Sequence, residues 1–201
     1  MLKIVLASQS PRRKKLLNLL GIVFEVIPSN CEEIITSSDP VEIVKGLSMQ
    51  KAEEVSSQLS DAIVIGADTI VVFNEQILGK PNSVQEAQEM LSLLSGNTHS
   101  VFTGVSVVKK EGNERQYNHS FSVETKVTFS ALNSEEIDTY IQTGSPMDKA
   151  GAYGIQDDWG SVFVERIEGD FYNVVGFPLN RFYQEMMNLE PSLFNQKETV
   201  S

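Results

Sequence analysis

KIVLASQSPRRKKLLNLLG, residues 3–21, passes from an apolar run through a short polar turn into a leucine stripe, and its reading decides the fold. Lys3 to Ala7 is apolar and rich in β-branched residues, the pattern of a buried strand. Leu16, Leu17, Leu19 and Leu20 recur at helical spacing, so Arg12 to Leu20 is predicted to be a helix. Ser10 is a good N-cap, Pro11 suits the first helical position, and Gly21 ends the helix. A strand that feeds a helix directly is the start of an α/β layered architecture.

Working outward, the alternation continues. Val23 to Ile27 is predicted as a strand, and Pro40 to Leu59 as one long helix or two short ones broken near Gly46. Ala62 to Asp68 (AIVIGAD) is the most apolar strand, and Thr69 to Phe73 continues it. Val84 to Leu94 is amphipathic and helical. His99 to Lys109 and Ser120 to Phe129 are long strands joined by the polar turn Lys110 to Gln116, so a mixed sheet is expected in place of an all-parallel one. Asn133, Ser134 and Glu136 cap a helix over 134–142. Gly144 to Gln156 is turn-rich, Ser161 to Ile167 reads as a strand, and Pro178 to Leu189 as a last helix. Residues 1–189 are expected to form a single α/β domain. Residues 190–201 have little to bury and are expected to be a flexible tail.

Composition narrows the function classes. With 201 residues the chain can bury one substantial core. A net charge of −11 argues against a coat for nucleic acid or anionic membrane, while leaving room for one concentrated phosphate site. The apolar stretches run only a few residues, such as Ala62 to Ile65, far short of the roughly 20 that span a bilayer. Ser8 to Lys15 interrupts the N-terminal apolar run too early for a signal-peptide core. A single cysteine, Cys31, cannot form an internal disulfide, so a reducing cytoplasm is the expected setting.

Three stretches can carry chemistry. Ser8 to Lys15 puts a strand end, a polar turn and a helix N-terminus in succession, where free backbone N–H groups face an anion. Its four successive cations oppose the helix dipole by a few tenths of a kcal/mol each, which a bound phosphate would offset. Lys14 and Lys15 read as a solvated face. Gly66-Ala67-Asp68-Thr69 ends the most apolar strand, and a carboxylate there can hold Mg²⁺ or take a proton from water. Gly79-Lys80-Pro81 adds a lysine on a stiff turn. Glu32 and Glu33 can supply further metal ligands, or be plain surface. Lys51, alone in mid-helix, means little by itself. His99 and His119 lack partners at metal-ligand spacing. In Asp148 to Gln156 (DKAGAYGIQ), small residues permit close backbone approach, and Tyr153 and Gln156 could stack on and hydrogen-bond a base; the alternative is a tight packing turn. Phe171, Val174 and Val175 read as core.

In order and spacing, the blocks LASQSPRRKKLL, MQKA, IGADTIV, LGKP, LSGNTHSVFTG, PMDKAGAYGIQ and GDFYNVVGFP resemble the Maf family of nucleotide pyrophosphatases, from Ile4 to about Leu189. The resemblance implies a mixed twisted sheet with flanking helices and two lobes around a deep cleft, similar to inosine triphosphate pyrophosphatases. It implies hydrolysis between the α and β phosphates with a divalent metal, Mg²⁺ or Mn²⁺. It assigns the proton acceptor to Asp68 and substrate choice to Arg12, Thr69 and Gln156. Phosphate contacts fall on Ser8, Arg13, Lys51 and Lys80, and a metal-side acid on Glu33, beside Asp68. DKAGAYGIQ is similar to the branch acting on dTTP and UTP. Asp157-Asp158, where the family has glycine, and Phe177, where it has leucine, depart from the pattern. Other readings left open are a 7-methyl-GTP or non-standard purine triphosphate pyrophosphatase, and a non-catalytic nucleotide-binding regulator of cell division. The expected partner is a small nucleotide, with neither nucleic acid nor membrane, and a homodimer is compatible with the resemblance.

Overall fold

The computed structural model describes residues 2–156 and 158–194, residue 158 through its backbone only. The strands make one mixed sheet in the order β2 (Glu25–Val26), β1 (Lys3–Leu6), β3 (Ala62–Phe73), β5 (Thr98–Glu111), β6 (Glu114–Phe129) and β7 (Val164–Glu168), with β4 (Gln76–Leu78) paired to β3. The chain forms two compact units: one from the described residues of Met1–Asp68, Gly104–Val123 and Gly176–Ser201, the other from Thr69–Thr103 and Glu124–Val175. The long strands β3 (Ala62–Phe73), β5 (Thr98–Glu111) and β6 (Glu114–Phe129) supply residues to both.

In the first unit β1 (Lys3–Leu6) lies between two parallel neighbours. It pairs with β3 from Lys3↔Ala62 to Leu6↔Ile65, and with β2 (Glu25–Val26) at Val5↔Glu25 and Leu6↔Val26. The strand expected over 23–27 is thus shorter, and Val23 and Val26 are exposed. Helix α1 (Pro11–Asn18) starts as expected, with Pro11 in its first turn and Ser10 as N-cap. Helix α2 (Pro40–Ser57) is one continuous helix through Gly46, capped by Asp39, whose Oδ1 accepts from the Val41 N–H at 2.9 Å. Burial of Ile43, Val44, Leu47, Ala52 and Val55 outweighs the cost of about 1 kcal/mol for a mid-helix glycine. Val5, Ala7, Ala52, Val55, Ala62, Val64 and Val108 form a core of small side chains. Gly112 and Asn113, both at positive φ, make the tight turn between β5 and β6.

Helix α7 (Leu179–Leu189) buries Phe182 and Met186, and the ring of Phe177 packs on Phe182 at 5.0 Å. Residues 190–194, expected to belong to a flexible tail, are packed instead. Glu190 pairs with Lys109 at 2.7 Å and Leu193 is buried in a 3₁₀ turn, Pro191–Phe194, because a charge partner and an apolar niche exist for them. Residues 195–201 lie outside the described residues.

In the second unit β4 (Gln76–Leu78) folds back antiparallel on β3 through Asn74 and Glu75, both at positive φ. Helices α3 (Val84–Leu94) and α4 (Ser134–Gln142) match their predicted bounds, and α4 carries the full Asn133–Glu136 capping box. The core is aromatic: Phe129, Tyr140, Tyr153 and Phe163 meet edge to face. The strand expected over 161–167 is instead a short helix, α5 (Asp158–Phe163), followed by β7 (Val164–Glu168), antiparallel to β6. A segment this short does not reveal its period; here Gly160 fits where a Cβ would meet the Gly154 carbonyl at 2.5 Å and the Tyr140 hydroxyl at 2.9 Å. Residues 171–175 form α6, which buries Asn173 and Val175 and leaves Phe171 40% exposed, so Phe171 is not core as expected.

Candidate active site

Parallel pairing of β1 and β3 sends both chains out at the same end of the sheet, where α/β proteins place ligands. The chain leaves β1 through Ala7, whose N–H still donates to the Ile65 carbonyl at 2.8 Å, and enters the Ser8–Ser10 turn. Ser8, 6% exposed, accepts from the Ser10 N–H at 3.2 Å and from Arg13 Nη1 at 3.3 Å. Arg13 Nε donates to the Gly176 carbonyl at 2.9 Å. Two fixed acceptors thus hold one guanidinium. Burial lowers the Arg13 pKa, the Asp68 and Glu33 charges oppose that, and the neighbouring Arg12 charge adds to it. These three charges therefore act on Arg13, and its guanidinium stays cationic. Arg12 itself is half-buried in the first turn of α1.

Asp68 lies two residues beyond Gly66 on β3, on the same face of the strand. That face meets α2 at unusually short range. A Cβ on Gly66 would fall 2.2 Å from the Ser48 carbonyl, and one on Gly104 2.2 Å from the Val44 carbonyl. The helix backbone therefore rests on the strands where only glycine fits. Ser48, Ser106 and Ser120 form a chain of hydroxyls with two 2.7 Å links beneath the same helix. Lys51, one turn after Ser48, reaches the Asp68 carboxylate and bonds Oδ1. Its Nζ also meets Glu33 Oε1 at 2.8 Å. The Lys51 and Asp68 side chains are 16% and 12% exposed, against 52% for Glu33. Gln50 holds the Glu33 loop in place: its amide donates to the Ile34 carbonyl at 2.7 Å and accepts the Ile34 N–H at 3.0 Å.

Two carboxylates that meet one ammonium lie within roughly twice a hydrogen-bond length of each other. Oxygen donors so placed can serve a hard divalent cation, and Mg²⁺ is commonly held by one or two carboxylates with substrate phosphates. Among the described residues no group of three or more Asp, Glu, His or Cys offers a metal cage. The donor set therefore fits a cation that shares its coordination with a phosphate ligand.

The remaining candidates belong to the second unit. Thr69 Oγ1 lies 2.9 Å from Thr103 Oγ1, and Thr103 gives its single hydroxyl proton to the Asn173 carbonyl at 3.0 Å. Thr69 is thus the donor in the first bond and keeps acceptor capacity. Lys80 is exposed on its turn, which is braced where the Gly151 N–H donates to the Gly79 carbonyl at 3.0 Å. Gly151 has φ 66° and packs against Val71, and Ala152 follows at φ 60°, so DKAGAYGIQ is a tight turn as well as a candidate site. Gln156 is exposed at its end. Tyr153 is not available for stacking on a base: it is buried, 2.8 Å from His99 Nε2. His99 is pushed down to about 4 by burial and is neutral. His119 bonds Glu185 at 2.8 Å. Asp157 and the side chain of Asp158 lie outside the described residues.

Sequence reading gave no individual role to Gly66, Gly104, Gln50, Thr103 and Asn173. Only glycine in an otherwise apolar strand was a visible signal, since it marks close backbone approach.

Against known proteins, the chain is 51% identical over 191 residues to a dTTP/UTP pyrophosphatase of Bacillus cereus (strain G9842), covering 94% of this chain and 97% of that one. It is 51% identical over 187 residues to a dTTP/UTP pyrophosphatase of Bacillus anthracis, covering 92% and 95%. Among solved structures, a HAM1 protein from Coxiella burnetii aligns with TM-score 0.45 and 19% identity, over 66% of this chain and 75% of that one. The Maf-like protein description matches residues 3–189, and the chain belongs to that family.

Proposed function

We propose that the protein hydrolyses dTTP and UTP between the α and β phosphates, yielding the monophosphate and pyrophosphate and clearing nucleotide pools. The observation that carries this reading is the convergence of Lys51, Asp68 and Glu33, with the Asp68 charge acting on the anchored Arg13. The half-identical relatives named for that reaction support it. Asp68 takes a proton from the water that attacks the α phosphorus, and the bond to the bridging oxygen breaks as pyrophosphate leaves. Ser8, Arg12, Arg13, Lys51 and Lys80 neutralise the triphosphate and the leaving group, because phosphoryl transfer is catalysed chiefly by positioning and charge stabilisation. Thr69 and Gln156 read the base and sugar: a Gln amide offers the donor and acceptor that a uracil or thymine edge requires. Glu33 and Asp68 would hold Mg²⁺ or Mn²⁺, which when bound neutralises charge on the phosphates. The single Cys31 fits a reducing, cytoplasmic setting, and among the described residues no helix is long and apolar enough to cross a membrane.

A panel of nucleoside triphosphates with pyrophosphate detection, run with Mg²⁺ and then Mn²⁺, tests the reading. Release from dTTP and UTP is expected. Preference for 7-methyl-GTP or a non-standard purine would replace the substrate assignment. Tight nucleotide binding with no pyrophosphate release would replace the enzyme by a regulator.

A further inference from the structure

Resting on that reading, we infer that Lys51 is the resident cation of the nucleotide-free site, and that the divalent metal enters only together with the nucleotide. Lys51 Nζ bonds both carboxylates that would bind the metal, so its ammonium stands where a cation bridging them would sit. The backbone beneath it is already in close contact: Ser48 and Ala52 of α2 rest on Gly66, so the helix cannot move further into the sheet. Only the Lys51 side chain can vacate the position.

Charge decides when it does so. The Lys51 ammonium already compensates the two carboxylates, and the Arg13 charge acts on both of them. A bare divalent ion must displace an ammonium from two close ion pairs and then sit beside it and beside Arg13. A triphosphate changes both conditions. It brings anionic oxygens to which Lys51 can turn, which releases Glu33 and Asp68, and it offsets the arginine charges. The metal and the nucleotide are then bound as one unit.

Mn²⁺ titration of the full-length protein, followed by the loss of the free-ion EPR signal, tests this without turnover. In the absence of nucleotide, Lys51→Met is expected to bind Mn²⁺ about tenfold or more tightly than wild type, while Lys51→Arg remains as weak as wild type. With a non-hydrolysable α,β-methylene triphosphate, wild type is expected to gain a Mn²⁺ site. Lys51→Gln provides the same comparison if Lys51→Met does not fold, as judged by circular dichroism. Equal nucleotide-free binding by wild type and the uncharged variant overturns the inference. If wild type gains its site with the analogue while the uncharged variant binds nothing alone, the inference falls and the carboxylate assignment stands. If no protein binds Mn²⁺ even with the analogue, the assignment of Glu33 and Asp68 to a metal falls as well.

Discussion

Asp68 and Thr69 are consecutive residues of one strand, yet they are held by different physics. Asp68 sits in a cluster of formal charges: Lys51 bonds it and Glu33, and Arg13 feels both carboxylates. Thr69 begins a neutral relay, from its hydroxyl to Thr103 and on to the Asn173 carbonyl. Asn173 in turn donates to the Val101 carbonyl and Thr125 Oγ1, both at 3.0 Å. A charge cluster is sensitive to the removal of one member, because the charge left behind loses its compensation. A hydroxyl relay stores less energy per link but sets hydrogen-bond polarity, fixing which group donates and which accepts. The first arrangement suits stabilising a polyanion during reaction, the second suits reading a neutral edge.

The sharpest way to break this contrast is Asp68→Asn. The variant is expected to retain its fold and nucleotide binding while kcat falls about 10²–10⁴-fold, the usual contribution of a general base. Pyrophosphate release measured beside nucleotide binding checks it, and turnover at the wild-type rate would remove Asp68 from its role. Next is Gly66→Ala. A Cβ 2.2 Å from the Ser48 carbonyl must lift α2 from β3, at a cost of about 3 kcal/mol, the upper end for overpacking. It also separates Lys51 from Asp68, so kcat should fall along with the denaturation midpoint. Unchanged stability would mean the helix has more play than its contact allows.

The neutral region yields two smaller effects. His99 has its pKa lowered by burial from 6.5 to about 4. The folded protein thus binds fewer protons than the unfolded chain between those values, and stability, fully present above pH 6.5, is lost as pH falls toward 4. Up to about 1.4 kcal/mol per pH unit is expected across that window. Urea titrations of wild type and His99→Gln should diverge there, and parallel curves would show that His99 does not titrate as its burial requires. Thr103→Val cuts the relay at its centre and removes the hydroxyl that donates to the Asn173 carbonyl, at about 1–2 kcal/mol. Its KM should rise more than its kcat falls, and a larger loss in kcat would show that the relay belongs with the charge cluster.

Much of the fold was legible because local chemistry and final structure agree. Ser10-Pro11, Asn133–Glu136 and the α3 stripe start or define helices by interactions within a few residues. The helices that were not predicted are those with too little local pattern. Residues 158–163 and 171–175 are one or two turns long, and their helical state depends on Gly160 fitting under Tyr140 and on Asn173 finding buried partners. Tyr153 illustrates the same limit at the site. Its place in a small-residue turn suggested a base platform, but an aromatic core and His99 claimed it.

By itself the sequence determined the order of the longer strands and helices, their caps, and the residue types able to meet a polyphosphate, because these rest on side-chain chemistry and short-range periodicity. Only the tertiary structure decided that Lys51, unremarkable in mid-helix, would hold Asp68 and Glu33 together. It did so through contacts between residues far apart in the chain, where Gly66 brings a helix backbone onto a strand and Gln50 fastens the Glu33 loop. Which charges neutralise one another depends on distance in space, and spacing along the chain does not record it.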